Sequence, residues 1–249
     1  MRNIYSVLVV ILLLLLTIPT AAKEIITVDE VKIIADETQN IIKNIKSYEF
    51  LLVKRELVNG RDTGHQYIRV KSQTEPFKVY VKYLKPVSLA GREALYVEGQ
   101  DLIVKRGGRR NPNMTLYITP QSPMAMEGNR YPITHINPKI ICEQLLKQID
   151  KELRFSDTTI TKYENVSVYG HNGTHYRLVH NTQEPGMECI MAELLISKKL
   201  GIPIYYKAMD WNGKVLEEYA FKDMKLNVNF DDNVFQINNT EYGFKCNEE

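Results

Sequence analysis

From Tyr48 onward the chain repeatedly places apolar residues at every second position, and this period of two constrains the fold more than any other feature. Successive strand residues point to opposite faces, so each run carries one apolar face that must be covered. Tyr48, Phe50 and Leu52 share one face, and Glu49, Leu51 and Val53 the other. Asn59-Gly60 through Gly64 supplies turn chemistry. A second run, Gln66–Ser72, sets Ile68 and Val70 against Tyr67 and Arg69. A third opens at Pro76 and closes at Pro86, with Phe77, Val79, Val81 and Tyr83 on one face and Lys78, Tyr80 and Lys82 on the other. Shorter runs follow at 94–98, 102–105 and 114–119, then at 158–169, 174–180, 189–197, 204–209 and 215–226. Turns are predicted at Gly107-Gly108, Asn172-Gly173, Pro185-Gly186, Gly201 and Asn212-Gly213. The pattern predicts a mainly β chain with some α: about eleven antiparallel strands in one curved sheet, with helices packed on one face. Fifteen tyrosines against one tryptophan, with plentiful Val, Ile and Thr, suit such a strand-rich chain.

Two segments carry helical spacing instead. Thr27 followed by Glu30 has the form of a capping box. Val31, Ile34, Ala35, Thr38, Ile41, Ile42 and Ile45 then recur at steps of three and four, giving one apolar stripe on a polar helix. The second helix takes Asn137 as its cap and Pro138 at its first position, with Ile141, Leu145, Ile149 and Leu153 on one side. Before it, residues 120–137 interrupt the strands with Pro120, Pro123, Gly128 and Pro132, and with Met124 and Met126 between them. This stretch reads as a loop inside one domain spanning 23–249.

Residues 1–22 stand apart. Arg2 precedes an apolar run from Ile4 to Ile18, and Thr20, Ala21 and Ala22 lead to Lys23. A basic tip, an apolar stretch and small residues before a charge describe a secretory signal peptide cut after Ala22. The competing reading is an uncleaved anchor, because the run approaches the roughly 20 residues of a membrane span. Either way the remainder is expected in the periplasm or cell envelope. Cleavage leaves 227 of the 249 residues and, with Arg2 gone, a net charge of +1 in place of +2. Such balance gives no electrostatic case for nucleic acid. Cys142, Cys189 and Cys246 permit one disulfide of unassigned pairing.

Known catalytic and metal signatures are missing from the sequence: no GxSxG elbow, no HExxH and no GxxxxGK[ST]. His171, His175 and His180 cluster in sequence, but the Asn172-Gly173 turn signal between them favours surface histidines on a hairpin. His65 and His135 have no local partner in sequence. Glu217 and Glu218 adjoin, so on a strand they point apart, which is poor geometry for a glycosidase pair. Arg106, Arg109 and Arg110 flank Gly107-Gly108 and suit a solvated hairpin tip better than an anion site. Four Asn-x-Ser/Thr triplets begin at Asn113, Asn165, Asn172 and Asn238, and chance accounts for them in an Asn- and Thr-rich chain. No catalytic residue, metal or cofactor is assigned.

The segments Tyr67–Lys71 and Pro76–Pro86 resemble the early strands of the LolA/LolB-like periplasmic lipoprotein carriers. The segments Gly91–Gly99 and Asp210–Asn227, with Phe235 and the closing Tyr242–Phe244, are similar to an uncharacterised bacterial branch of proteins, the DUF1571 family. The resemblance implies an incomplete antiparallel barrel, apolar inside, with a helical lid. It implies a monomeric binding protein that carries a lipid or acylated protein, touches membranes transiently and meets envelope protein partners. Partner-binding stress sensing without lipid transport is the alternative from another class, and an enzyme of envelope lipid or glycan metabolism a third. On this reading the cavity candidates are Phe50, Phe77, Val79, Val81, Tyr83, Tyr96, Met124 and Met126. The lid helix would present Val31, Ile34, Ile41, Ile42 and Ile45. Arg69 would contact the lid, as an arginine of this general region does in the carriers.

Overall fold

The computed structural model describes residues 23–108, 114–155 and 157–245. Residues 1–22, Arg109, Arg110, Asn113 and Cys246 lie outside the described residues, as do the side chains of Cys142 and Leu145. All described strands join one curved, unclosed antiparallel sheet of thirteen strands.

The sheet is two meanders joined at its centre. One comprises β2 (Ser47–Val58), β4 (Gln66–Gln73), β5 (Lys78–Lys85), β6 (Glu93–Val97), β7 (Leu102–Lys105) and β8 (Thr115–Ile118). The other comprises β9 (Thr158–Val168), β10 (His171–His180), β11 (Met191–Ser197), β12 (Pro203–Met209) and β13 (Val215–Leu226). β2 and β13 pair in the middle, where Leu52 faces Phe221 and Glu56 faces Glu217. β8 is one edge, and β1 (Lys23–Ile25) beside β9 is the other.

This topology dictates the cover. The chain leaves β8 at one edge and must enter β9 near the opposite edge. Residues 119–157 therefore cross the sheet, carrying the short helix α2 (Pro123–Met126), a 3-10 turn at Ile133–His135 and α3 (Pro138–Glu152). Helix α1 (Val28–Ile42) spans the shorter distance from edge strand β1 to central strand β2.

Most expected elements form where the spacing places them. The Thr27–Glu30 capping box closes in both directions, with Thr27 N–H donating to Glu30 Oε2 at 2.7 Å and Glu30 N–H to Thr27 Oγ1 at 3.3 Å. Asn137 caps α3 by accepting from Lys139 N–H. Two strands escaped the spacing: β1, whose three residues are all exposed, and β3 (Arg61–Asp62), which pairs with the end of β2. Both are too short to display a period.

One turn moves. Between β9 and β10 the reversal is made by Tyr169 and Gly170 at positive φ, not by Asn172-Gly173. Gly173 instead sits inside β10 beside a bulge, where a Cβ would overlap the Ile196 carbonyl. The glycine serves close approach of strands, not a turn.

The concave face holds the main core. Phe50, Val70, Phe77 and Val79 pack there with Ile42 and Ile45, and Phe50 meets Phe221 edge-on at 5.2 Å between ring centres. Val31 and Ile34 of α1 pack on Ile160 and Leu178. On the convex face, Tyr80 and Leu95 are covered by Val234 and Phe235 of the C-terminal segment, and Tyr80 stacks on Tyr242 at 3.7 Å.

Candidate functional site

The two halves of the concave face are closed unequally. Under α1 and α3, beside β9–β12, an apolar residual space of about 60 Å³ remains. Beside it, under residues 124–151, lies a cavity of about 480 Å³. Cys189 and Tyr206 border both. The larger volume falls within the range of about 300–1,000 Å³ usual for small-molecule sites.

The floor of this cavity is apolar: Leu52 from β2, Val81 and Tyr83 from β5, Ala94 from β6, Leu102 and Val104 from β7. These are alternate positions, so one face of each strand supplies them. Met124, Ala125, Ile133, Ile136 and Ile141 line it from the crossing segment.

Of the eight cavity candidates, Val81, Tyr83 and Met124 lie on this wall. Phe50, Phe77 and Val79 lie in the packed core. Half-buried Tyr96 lies against the Phe77 ring, at 6.0 Å between centres. Met126 is half-buried on α2, off the lining. Val31 and Ile34 border the small space, Ile42 and Ile45 join the core, and Ile41 is 40% exposed. Ile45 lies just beyond the end of α1. The segment over the larger cavity is thus the crossing one, not α1. Arg69 is exposed, alternating with buried Ile68 and Val70, so it points away from the concave face and its helices.

One wall is polar, and sequence reasoning missed it. Beyond Leu52 the inward alternation of β2 continues to Lys54 and Glu56, whose side chains are 6% and 2% exposed and pair at 3.1 Å. Lys54 Nζ also donates to Asn129 Oδ1 at 2.7 Å, and Arg130 N–H to Glu56 Oε2 at 3.0 Å. Tyr219 donates its hydroxyl to Glu56 Oε1 at 2.6 Å. Arg130 Nε lies 3.6 Å from Glu217 Oε2. Burial pushes the Glu217 carboxyl above its usual value, against the pull of Arg130. Burial, with the Glu217 charge next, drives Tyr131 up to about 12. Lys54, Glu56, Arg130 and Glu217 neutralise one another, so the cluster braces the crossing segment on the sheet. The available signal was alternation itself, carried two steps past Leu52.

The histidines need correction. His180 is 1% exposed, against Phe155 and within 2.8 Å of Thr158 Oγ1, because β10 is an interior strand. His175 is largely buried as well, and burial lowers its pKa. Among the described residues no group of three His, Cys, Asp or Glu is placed to hold a metal ion. No described helix is long and apolar enough to cross a membrane.

Comparison with curated protein sequences gives no match. Among solved structures, MucB is 13% identical with a TM-score of 0.50, over 84% of this chain and 62% of MucB. The chain therefore spans about three fifths of MucB, which has also been solved with MucA from Pseudomonas aeruginosa. The Mycobacterium tuberculosis lipoprotein LppX is 10% identical, with a TM-score of 0.49 over 82% of this chain and all of LppX. A LolA superfamily protein from Nitrosomonas europaea is 12% identical, with a TM-score of 0.33 over 82% of this chain and 96% of its own. Residues 45–244 match the family described as a protein of unknown function (DUF1571), and the chain belongs to that family.

Proposed function

We propose that this protein is a periplasmic or envelope binding protein that holds the acyl chain of a lipid or lipidated protein in the larger cavity. The observation that carries this reading is a hollow of about 480 Å³ with an apolar floor on the concave face. Interiors are normally filled to crystal-like density, so an apolar volume of this size has an occupant or a cost. Each methylene withdrawn from water contributes roughly 0.8 kcal/mol, about 10 kcal/mol for a 16-carbon chain before ordering costs. The crossing segment, half-buried and carrying Met124, is the cover through which a chain enters. Methionine adapts its shape to varied lipids.

The test is saturable uptake of an uncharged fluorescent acyl probe by delipidated protein, with Ala125→Phe as the blocked form. We expect binding by the native chain and at least tenfold weaker binding by the variant. No saturable uptake by the native chain sinks the proposal. Native mass spectrometry of protein from its own envelope then identifies the natural occupant.

Partner binding without lipid is the second reading, supported by the MucB-like fold. A clean apo mass, with an envelope protein recovered in stoichiometric amount, favours it.

A further inference from the structure

The larger cavity carries two arginines that the polar wall does not use. Arg92 and Arg106 both line it. Strands β6 and β7 pair Glu93 with Lys105 and Ala94 with Val104, so one step further Arg92 and Arg106 face each other across the end of the ladder. Ala94 and Val104 line the floor, and residues two apart on a strand share a face, which aims both arginines inward.

Like charges directly opposite on a sheet repel, and low-dielectric surroundings strengthen the repulsion. Elsewhere on the lining Lys54 is matched by Glu56, Arg130 by Glu217 and Lys151 by Glu188, while Lys147 is exposed to solvent. Arg92 and Arg106 have no carboxylate partner among the described residues; Arg92 lies over the Tyr83 ring at 5.6 Å. Six cationic and four carboxylate side chains line the cavity, an excess of two positive charges.

The pair is also held together by backbone. A Cβ on Gly107 would overlap the backbone of Ala90, Gly91 and Arg92. Gly108 N–H donates to the Ala90 carbonyl at 2.8 Å. The glycines thus dock the end of β7 onto the β5–β6 turn, and Arg106 belongs to the cavity wall, not to a solvated hairpin tip.

We infer that Arg92 and Arg106 receive a phosphate ester, the anionic headgroup of an amphiphile whose acyl chain occupies the apolar floor. Two planar guanidinium forks fit the oxygens of one phosphate, and the anion cancels their repulsion. This rests on the acyl-binding proposal and adds the headgroup to it.

The experiment measures displacement of the uncharged probe from delipidated native protein by lysophosphatidylglycerol, by monoacylglycerol of the same chain length and by inorganic phosphate. We expect the phosphatidyl lipid to bind about tenfold or more tighter than the neutral one, with the preference shrinking as salt rises. The double variant Arg92→Gln/Arg106→Gln should bring the two lipids within about twofold by weakening the phosphatidyl lipid, whereas Arg69→Gln on the convex face should keep the native preference. Equal binding of both lipids by the native chain overturns the headgroup inference and leaves acyl binding standing. Arginine-dependent binding of inorganic phosphate without uptake of any lipid makes this a site for a soluble phosphate ester and overturns both. A preference that survives the double variant places the headgroup elsewhere and overturns the inference.

Discussion

The two halves of the concave face share one sheet and differ in their cover. Over β9–β12, helices α1 and α3 leave about 60 Å³; beside them α3 and the irregular stretch that precedes it leave about 480 Å³. Regular helices present apolar stripes that fill the spaces between strand side chains. The stretch 119–137 contains only one helical turn and a 3-10 turn, and its prolines cannot continue a helix. It therefore bridges the sheet without filling it. The difference teaches that a hollow can be produced by connectivity: a sheet whose meanders meet at the centre obliges the chain to span it, and an irregular span leaves room.

The largest effect compares two equally buried leucines. Leu178 is packed by α1 in the filled half, whereas Leu102 already faces the larger cavity. We expect Leu178→Ala to cost about 4 kcal/mol and Leu102→Ala about 2 kcal/mol in urea denaturation, because Leu178 borders only the space of about 60 Å³ and Leu102 the one of about 480 Å³. Equal losses would mean that the larger cavity is as well filled as its neighbour, by a retained ligand. Next comes Lys54→Met, which strips the ammonium from buried Glu56 and is expected to cost about 3 kcal/mol. A loss under about 1 kcal/mol would show that water reaches Glu56 through the cavity.

Much of the sheet was legible because alternation and turn residues act locally. Phe77, Val79, Val81 and Tyr83 share one face, as their spacing demands. Spacing could not say which of them would border a void. All four join the core, but only Val81 and Tyr83 also border the larger cavity, and that depends on where residues 119–157 travel. Arg106 shows the same limit. A Gly-Gly pair beside arginines looks like an exposed tip until the β6–β7 register sets Arg106 opposite Arg92. Of the α1 stripe Val31, Ile34 and Ile42 turn toward the sheet while Ile41 stays 40% exposed, and the connection from edge to centre places the helix over the filled half.

A smaller effect sharpens the role of α1. Thr27→Ala removes the capping box and should cost about 1 kcal/mol. If α1 unfolds only with the sheet, the whole loss appears in global stability. If α1 opens by itself, amide exchange rises across Val28–Ile42 while the denaturation midpoint stays put, and the filled half becomes the one with a detachable cover.

The smallest effect is a dependence on pH at the polar wall. Burial raises the Glu217 carboxyl above 4.5 in the folded chain, so the folded state binds that proton more tightly than the unfolded state. Its favourable contribution is fully present below the unfolded value and is lost as pH climbs through the folded one. Glu217→Gln cannot titrate and keeps an amide in place of the carboxyl. The stability of the variant relative to the native chain should therefore rise from about pH 4.5 upward and level off once Glu217 is ionised in both states. The slope reports the net of burial, which raises the carboxyl, against Arg130 at 3.6 Å, which lowers it. A flat difference from pH 4 to 8 would mean that the carboxylate stays hydrated. In that case the crossing segment admits water at its polar end, and the contrast between the halves becomes one of wetness as well as of volume.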